Sequence, residues 1–251
     1  MIQPVRITAP AAAGRELTLA DLAVPLPLDF LAPGHDARLL PRGPESPWEV
    51  ELGFGKGRYL LRRASEDRGT RFLGVEVVSE YYRRVALRAR RRGLGNLVVL
   101  RAEALFLLSA VLPRRFARAV HVYFPDPWPK QRHQKRRLFD PETVDLVLGL
   151  LAPDGELFFA SDFLEYGELV ESILRQVPGF AVERLADGWP EGPRTHYEAK
   201  YVQEGRPIVR LRGRFVDTPV LGDSSALHPE GRASVLVGER AAVSTSPPAS
   251  P

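Results

Sequence analysis

The chain has 251 residues, 44% of them hydrophobic, with 35 lysines and arginines against 31 acids and a formal net charge of +4. That length suits one domain of about 170 to 200 residues with loose ends, and the charge leans toward an anionic partner. The absence of cysteine excludes disulfides, thiolate-bound zinc and a cysteine nucleophile.

Residues 1–46 are rich in Pro, Ala and Gly, with short apolar patches such as Leu26 to Leu31, and read as a partly ordered N-terminal arm. Met1 to Leu22 lacks the charged start and apolar stretch of a signal peptide, and no apolar run approaches the roughly 20 residues of a spanning helix. A cytoplasmic protein with no membrane contact is expected. From Trp48, strand-length apolar runs alternate with helix-length segments: Trp48–Leu52 then Arg58–Glu66, Phe72–Glu76 then Ser79–Arg92, Leu97–Leu100 then Ala104–Val111. The pattern continues with Ala117–Phe124 then Pro141–Leu151, and Leu157–Ser161 then Leu164–Val177. Such βα alternation predicts a doubly wound α/β domain over residues 47–216, built on a mostly parallel seven-stranded sheet. Phe180–Leu185 and Ile208–Val216 show no good helix between them, and Asp187 to Pro193 is turn chemistry, so an antiparallel strand pair closing one edge is expected. The Pro, Ser and Ala composition of residues 217–251 predicts a disordered tail.

Glu51-Leu-Gly53-Phe-Gly55-Lys-Gly57 puts three glycines at the first strand-to-helix turn, where backbone passes close to a ligand. A nicotinamide dinucleotide loop has the spacing G-x-G-x-x-G and a helix start free for pyrophosphate. Here the spacing is G-x-G-x-G, and Glu51 would repel a pyrophosphate while attracting a cation. S-adenosylmethionine, whose amino group and sulfonium are positive, fits that carboxylate. Glu76 closes the second strand at the place for ribose hydroxyls, and Glu103 follows the third, placed for an adenine amino group. Stabilisation of three helix dipoles is the alternative account of these acids.

The least ordinary stretch is Pro125-Asp126-Pro127-Trp128, which runs into Lys130, Arg132, His133, Lys135, Arg136 and Arg137. Two prolines remove two amide donors and fix the backbone around Asp126, so the segment is a stiff loop. It presents one carboxylate beside cations suited to an anionic polymer; Arg132, Lys135, Arg136 and Arg137 are the candidate phosphate contacts. Trp128 has two readings, a ring that stacks on a base and one that packs under the loop. Arg83, Arg84, Arg88, Arg91 and Arg92 line the outer side of the 79–92 helix and read as a solvated face.

Together these features resemble the bacterial tRNA (guanine-N7)-methyltransferase family, a branch of the class I S-adenosylmethionine-dependent methyltransferases, over roughly Trp48 to Phe215. The most specific element is Phe124-Pro-Asp-Pro-Trp-Pro-Lys-x-Arg-His133, and Ser161-Asp162 and Thr195-His-Tyr-Glu198 match as well. The resemblance implies a Rossmann-like fold, S-adenosyl-L-methionine as cofactor, no metal, a monomer or homodimer, and methylation of N7 of a tRNA guanosine at position 46 of the variable loop. Carried over by motif, it implies Glu51, Gly53, Gly55, Gly57, Glu76 and Glu103 as cofactor ligands. Asp126 joins the cofactor pocket to the catalytic centre, and Lys130, Asp162, Thr195, His196, Tyr197 and Glu198 are substrate contacts. Glu103 stands where Asp is commoner, and Ser161 where Thr is commoner. Guanine N7 has an in-plane lone pair and no proton, so Asp126 reads as an orienting, charge-stabilising acceptor rather than a base. The runner-up is methylation of an exocyclic amine, whose enzymes carry a related Asp-Pro-Pro-aromatic loop but lack the basic run. A non-catalytic RNA-binding module is the other class, disfavoured by the intact Glu51, Glu76 and Asp126.

Overall fold

The structure, a computed structural model, describes residues 48–216; the expected N-terminal arm and C-terminal tail lie outside the described residues. In chain order the elements are β1 (Trp48–Leu52), α1 (Arg58–Glu66), β2 (Arg71–Glu76), α2 (Ser79–Arg91), β3 (Leu97–Arg101), α3 (Ala104–Ala110) and β4 (Ala117–Tyr123). After a 3-10 turn at Gln131–Arg136 come α4 (Val144–Leu148), β5 (Leu151–Ser161), α5 (Leu164–Arg175), β6 (Phe180–Arg184), α6 (His196–Gln203) and β7 (Val209–Phe215).

The strands form one sheet in the order β3-β2-β1-β4-β5-β7-β6. The first five run parallel, and β7 lies antiparallel between β5 and β6. The expected antiparallel pair at one edge is therefore present. Side-chain alternation along β1 decides what reaches each face. Trp48, Val50 and Leu52 join the core beneath α3, α4 and α5, together with Leu107, Val147 and Leu174. Glu49 and Glu51 thereby point to the opposite face, toward α1. That face is covered by Leu60, Leu61 and Ala64 of α1 and by Tyr82, Val85, Ala86 and Ala89 of α2, whose spacing is that of one helical stripe.

Three local features differ from the sequence expectation. The region between β6 and β7 holds a helix, α6, where none was expected. Its only buried residue is Glu198, so it carries no apolar stripe to announce it. The helix expected over Pro141–Leu151 is confined to Val144–Leu148, because Asp140 Oδ1 accepts from the amides of Glu142 and Thr143 and holds the segment before it as a turn. β5 begins at Leu151, six residues before the expected start. Ala117 pairs with Leu151 and Ala119 with Glu156, so the extra residues of β5 form an irregularity in the ladder. Among the described residues no helix is long and apolar enough to cross a membrane.

Gly74 in β2 shows how tightly α1 is seated. A Cβ there would overlap Leu60 Cδ2 and stand 2.7 Å from Phe54 Cδ1, the two side chains beneath the glycine-rich turn. Gly74→Ala is expected to lower stability by about 1–3 kcal/mol through overpacking. Urea denaturation with an unshifted midpoint would show that α1 has slack.

Candidate cofactor and substrate site

The turn after β1 owes its shape to glycine. Gly53, Gly55 and Gly57 all have positive φ, at 76°, 51° and 67°, in the left-handed region. A Cβ on Gly53 or Gly55 would meet no atom within 4 Å, so these two leave open space above the strand end. Gly57 serves packing instead, since a Cβ there would come within 2.6 Å of Val85 Cγ2 on α2.

Three carboxylates stand around that turn at the ends of adjacent strands. Glu51 is 2% exposed. The Leu60 amide in the first turn of α1 bonds to it, while Oε2 has no partner. Burial, reinforced by the nearby charge of Glu76, pushes its carboxyl up to about 8 against the Leu60 bond and the opposing pull of Arg194. Glu76 is oriented by the backbone it faces: Oε2 accepts from the Gly55 amide at 2.8 Å and Oε1 from Val78 at 2.9 Å. Glu103 is the N-cap of α3, accepting from the amides of Leu105 and Phe106 at 3.1 and 2.7 Å. Helix capping, the alternative account of these acids, thus describes Glu103 and leaves Glu51 with an oxygen unused. S-adenosyl-L-methionine fits this set, because an unpartnered buried carboxylate oxygen beside an open glycine turn is a seat for a cation.

The loop after β4 follows the strand that pairs with β1. Phe124 and Trp128 have φ of 54° and 41°, unusual for side chains of that size. The loop is pinned from within: Phe124 N donates to the Ala160 carbonyl at 2.7 Å, and Arg137 Nε donates to the Pro127 carbonyl at 2.7 Å. Arg137 is buried, with its guanidinium 4.9 Å from the Tyr166 ring centroid. It faces inward rather than toward an RNA. Arg132 and Arg136 are exposed, as are Asp126 and Lys130, and the side chain of Lys135 lies outside the described residues. Trp128 packs between neighbours, with Arg136 over its ring at 5.1 Å and His133 edge-on at 5.7 Å.

Asp162, half-buried, follows β5. Thr195 caps α6, its Oγ1 accepting from Glu198 N at 3.0 Å. That cap leaves His196 and Tyr197 exposed, and Tyr197 is hydrogen-bonded across to Tyr81 of α2. Glu198 is fully buried, accepting from the Arg194 amide at 2.8 Å and from Arg210 Nε at 2.6 Å. It ties α6 to β7 and presents nothing to a substrate.

The sequence reading missed Arg194. This buried cation donates to Tyr123 Oη and to Glu191 Oε1, both at 2.6 Å, and lies 4.1 Å from the Trp189 ring centroid. Tyr123 in turn sits 2.9 Å from His121 Nδ1, and His121 Nε2 lies 3.4 Å from Glu49 Oε2. Burial pushes the His121 ring down, toward the neutral form, in which Nδ1 can accept from Tyr123 while Nε2–H faces Glu49. Burial opposes the charge of Glu49, but the His121 ring beside it and the bonds from Arg63 and Arg118 hold its carboxyl well below the usual range. No motif marks these residues, because an arginine in sequence does not declare itself buried.

Comparisons with known proteins bear on the family and the fold. A family model described as "Putative methyltransferase" matches residues 45–211. The tRNA (guanine-N(7)-)-methyltransferase of Nitrosococcus oceani is 37% identical over 170 residues, covering 67% of this chain and 72% of that protein. Its counterpart in Geobacter metallireducens is 32% identical over 176 residues, covering 68% of this chain and 83% of that protein. Among solved structures, that of the 16S rRNA methyltransferase KamB has a TM-score of 0.52 at 14% identity, covering 80% of this chain and 95% of that one, a likeness of fold.

Removing Glu198 would strand a buried guanidinium. Glu198→Ala is expected to lower stability by about 3–5 kcal/mol by leaving Arg210 unpaired. A loss under about 1 kcal/mol in urea denaturation would mean that this ion pair does not hold α6 to the sheet.

Proposed function

The chain belongs to the tRNA (guanine-N(7)-)-methyltransferase family, and from that membership we propose that it transfers the methyl group of S-adenosyl-L-methionine to N7 of a guanosine in the variable loop of tRNA. The observation that carries the reading is one of adjacency. The loop bearing Asp126 follows β4, and β4 is the immediate sheet neighbour of β1, which carries Glu51. Cofactor seat and acidic loop therefore share one strand-end ridge, where ligands of open α/β sheets bind.

When bound, S-adenosyl-L-methionine supplies an electrophilic methyl group on its sulfonium. The residues of this chain hold and orient. Glu51 takes the cationic amino group, Gly53 and Gly55 make room, Glu76 takes the ribose hydroxyls, and Glu103 stands at the adenine amino group. Because N7 already offers a lone pair, catalysis consists mainly of alignment, worth several kcal/mol when the reacting atoms are held about 3–3.5 Å apart. Asp126 accepts from the N1–H and exocyclic N–H edge of guanine, selecting that base and stabilising the positive charge that N7 methylation places on the ring. Lys130, Asp162, Thr195, His196 and Tyr197 line the base side of the site, and Arg132, Lys135 and Arg136 meet phosphates. Arg137 and Glu198 act at one remove, by pinning the loop and α6. The tRNA must expose the base by local unstacking. The catalytic domain spans residues 47–216.

The test is to incubate the full chain with labelled S-adenosyl-L-methionine and unmodified tRNA, then map the label to atom and nucleotide. Label at N7 of a variable-loop guanosine is expected; label on an exocyclic amine, or none, overturns the reading. Asp126→Ala is expected to keep cofactor binding and lose about 10²–10³-fold in turnover. Normal turnover in that variant would remove Asp126 from the catalytic centre.

A further inference from the structure

A groove of about 450 Å³ runs beside the glycine turn, lined by Gly57, Arg58, Leu61 and Arg62 of the turn and α1, Arg88 and Arg92 at the end of α2, and His196 at the start of α6. No carboxylate is among these lining residues. The other large cleft on this side of the sheet is different: there Glu49 pairs with Arg63 and Arg118, and Glu66, Asp154, Glu156 and Glu191 balance the cations.

Most arginines of the groove lack an acidic partner, while Arg62, shared with that cleft, lies 5.8 Å from the Tyr59 ring centroid. Among the described residues Arg58 and Arg92 have no carboxylate partner, and Arg88 donates only to the Lys56 carbonyl, at 3.4 Å. The buried Nε of Arg62 has no hydrogen-bond partner, although Glu191 lies within electrostatic reach of that side chain. Arg84, on the outer side of the same helix α2, is instead paired with Glu80 at 2.6 Å. Lys56 adds a further charge, and the field of Arg58, Lys56 and Arg88 reaches His196. Arg58, Arg88 and Arg92, with no carboxylate among the lining residues of the groove, repel one another, and a polyanion offsets that repulsion.

The groove adjoins the site already described at two residues. Gly57 is the last glycine of the cofactor turn, and His196 stands between Thr195 and Tyr197. Arg132 and Arg136 lie after β4, whereas the groove belongs to the helices that follow β1 and β2. We propose that this groove binds backbone phosphates of the substrate RNA, so that the RNA is held on both flanks of Asp126. The inference rests on the tRNA reading above and extends it, turning part of the α2 arginine face from a solvated surface into a contact.

The experiment compares the full-length protein with Arg88→Gln/Arg92→Gln and with a control pair, Arg83→Gln/Arg91→Gln, also exposed on α2 but not lining the groove. Fluorescence anisotropy with an unmodified tRNA transcript is measured over a salt series. Each cation that meets a phosphate contributes about one to the slope of log affinity against log salt, so the groove pair is expected to flatten it by about two. The control pair is expected to track the wild type. A slope in the groove variant equal to that of the wild type, or an equal change in both variants, overturns the inference. Anisotropy does not require methyl transfer. A wild-type protein that methylates no guanosine therefore removes the proposed function, while the slopes still decide the groove.

Discussion

A buried carboxylate, Glu51, is the constraint around which the rest of this structure is arranged. A charged group out of water is costly unless it is paired, and here one oxygen is bonded to the Leu60 amide while the other is left without a partner. β1 places it there by simple alternation: with Trp48, Val50 and Leu52 sunk in one core, the residues between them must face α1. The same rule puts Glu49 on that face, but there Oε1 is paired with Arg63 and Arg118, while Oε2 lies 3.4 Å from His121 Nε2 without a hydrogen bond. Two glutamates two residues apart on one strand thus differ in their cations: Glu49 has two arginines from within the protein, and Glu51 has no ion pair among the described residues.

The loop after β4 is built on a different principle. Asp126 needs neither burial nor a partner, because its position is enforced by the chain around it. Prolines on both sides, left-handed residues at Phe124 and Trp128, and Arg137 bonded to the Pro127 carbonyl leave the loop few ways to move. The cost of ordering that loop is met on folding rather than on binding, which is the condition for a positioning enzyme to be effective.

Most of the fold was legible in the sequence because each strand and most helices carry their own apolar period. The bounds of β1 and α1 agree with the expectation residue for residue, and α2 ends one residue early. What escaped notice was structure held by charge. The inward residue of α6 is Glu198 rather than a leucine, so periodicity could not find the helix. Arg137 read as a phosphate contact and Arg194 carried no signal, yet both are buried. The candidate carboxylates Glu51, Glu76 and Glu103 were legible as strand-end residues because they follow strands at fixed places. The groove beside α2 was not, because it joins residues from three distant segments.

The central claim is that Glu51 is held for a cationic ligand, and proton linkage tests it most directly. Its carboxyl titrates near pH 8 in the free protein, so at pH 7 it is mostly protonated and must lose that proton to pair with an ammonium group. Calorimetric titration with S-adenosyl-L-methionine at pH 7, in buffers of different ionisation enthalpy, should show proton release in the wild type and none in Glu51→Gln. Binding without proton release in the wild type, or the same release in both proteins, would contradict the account.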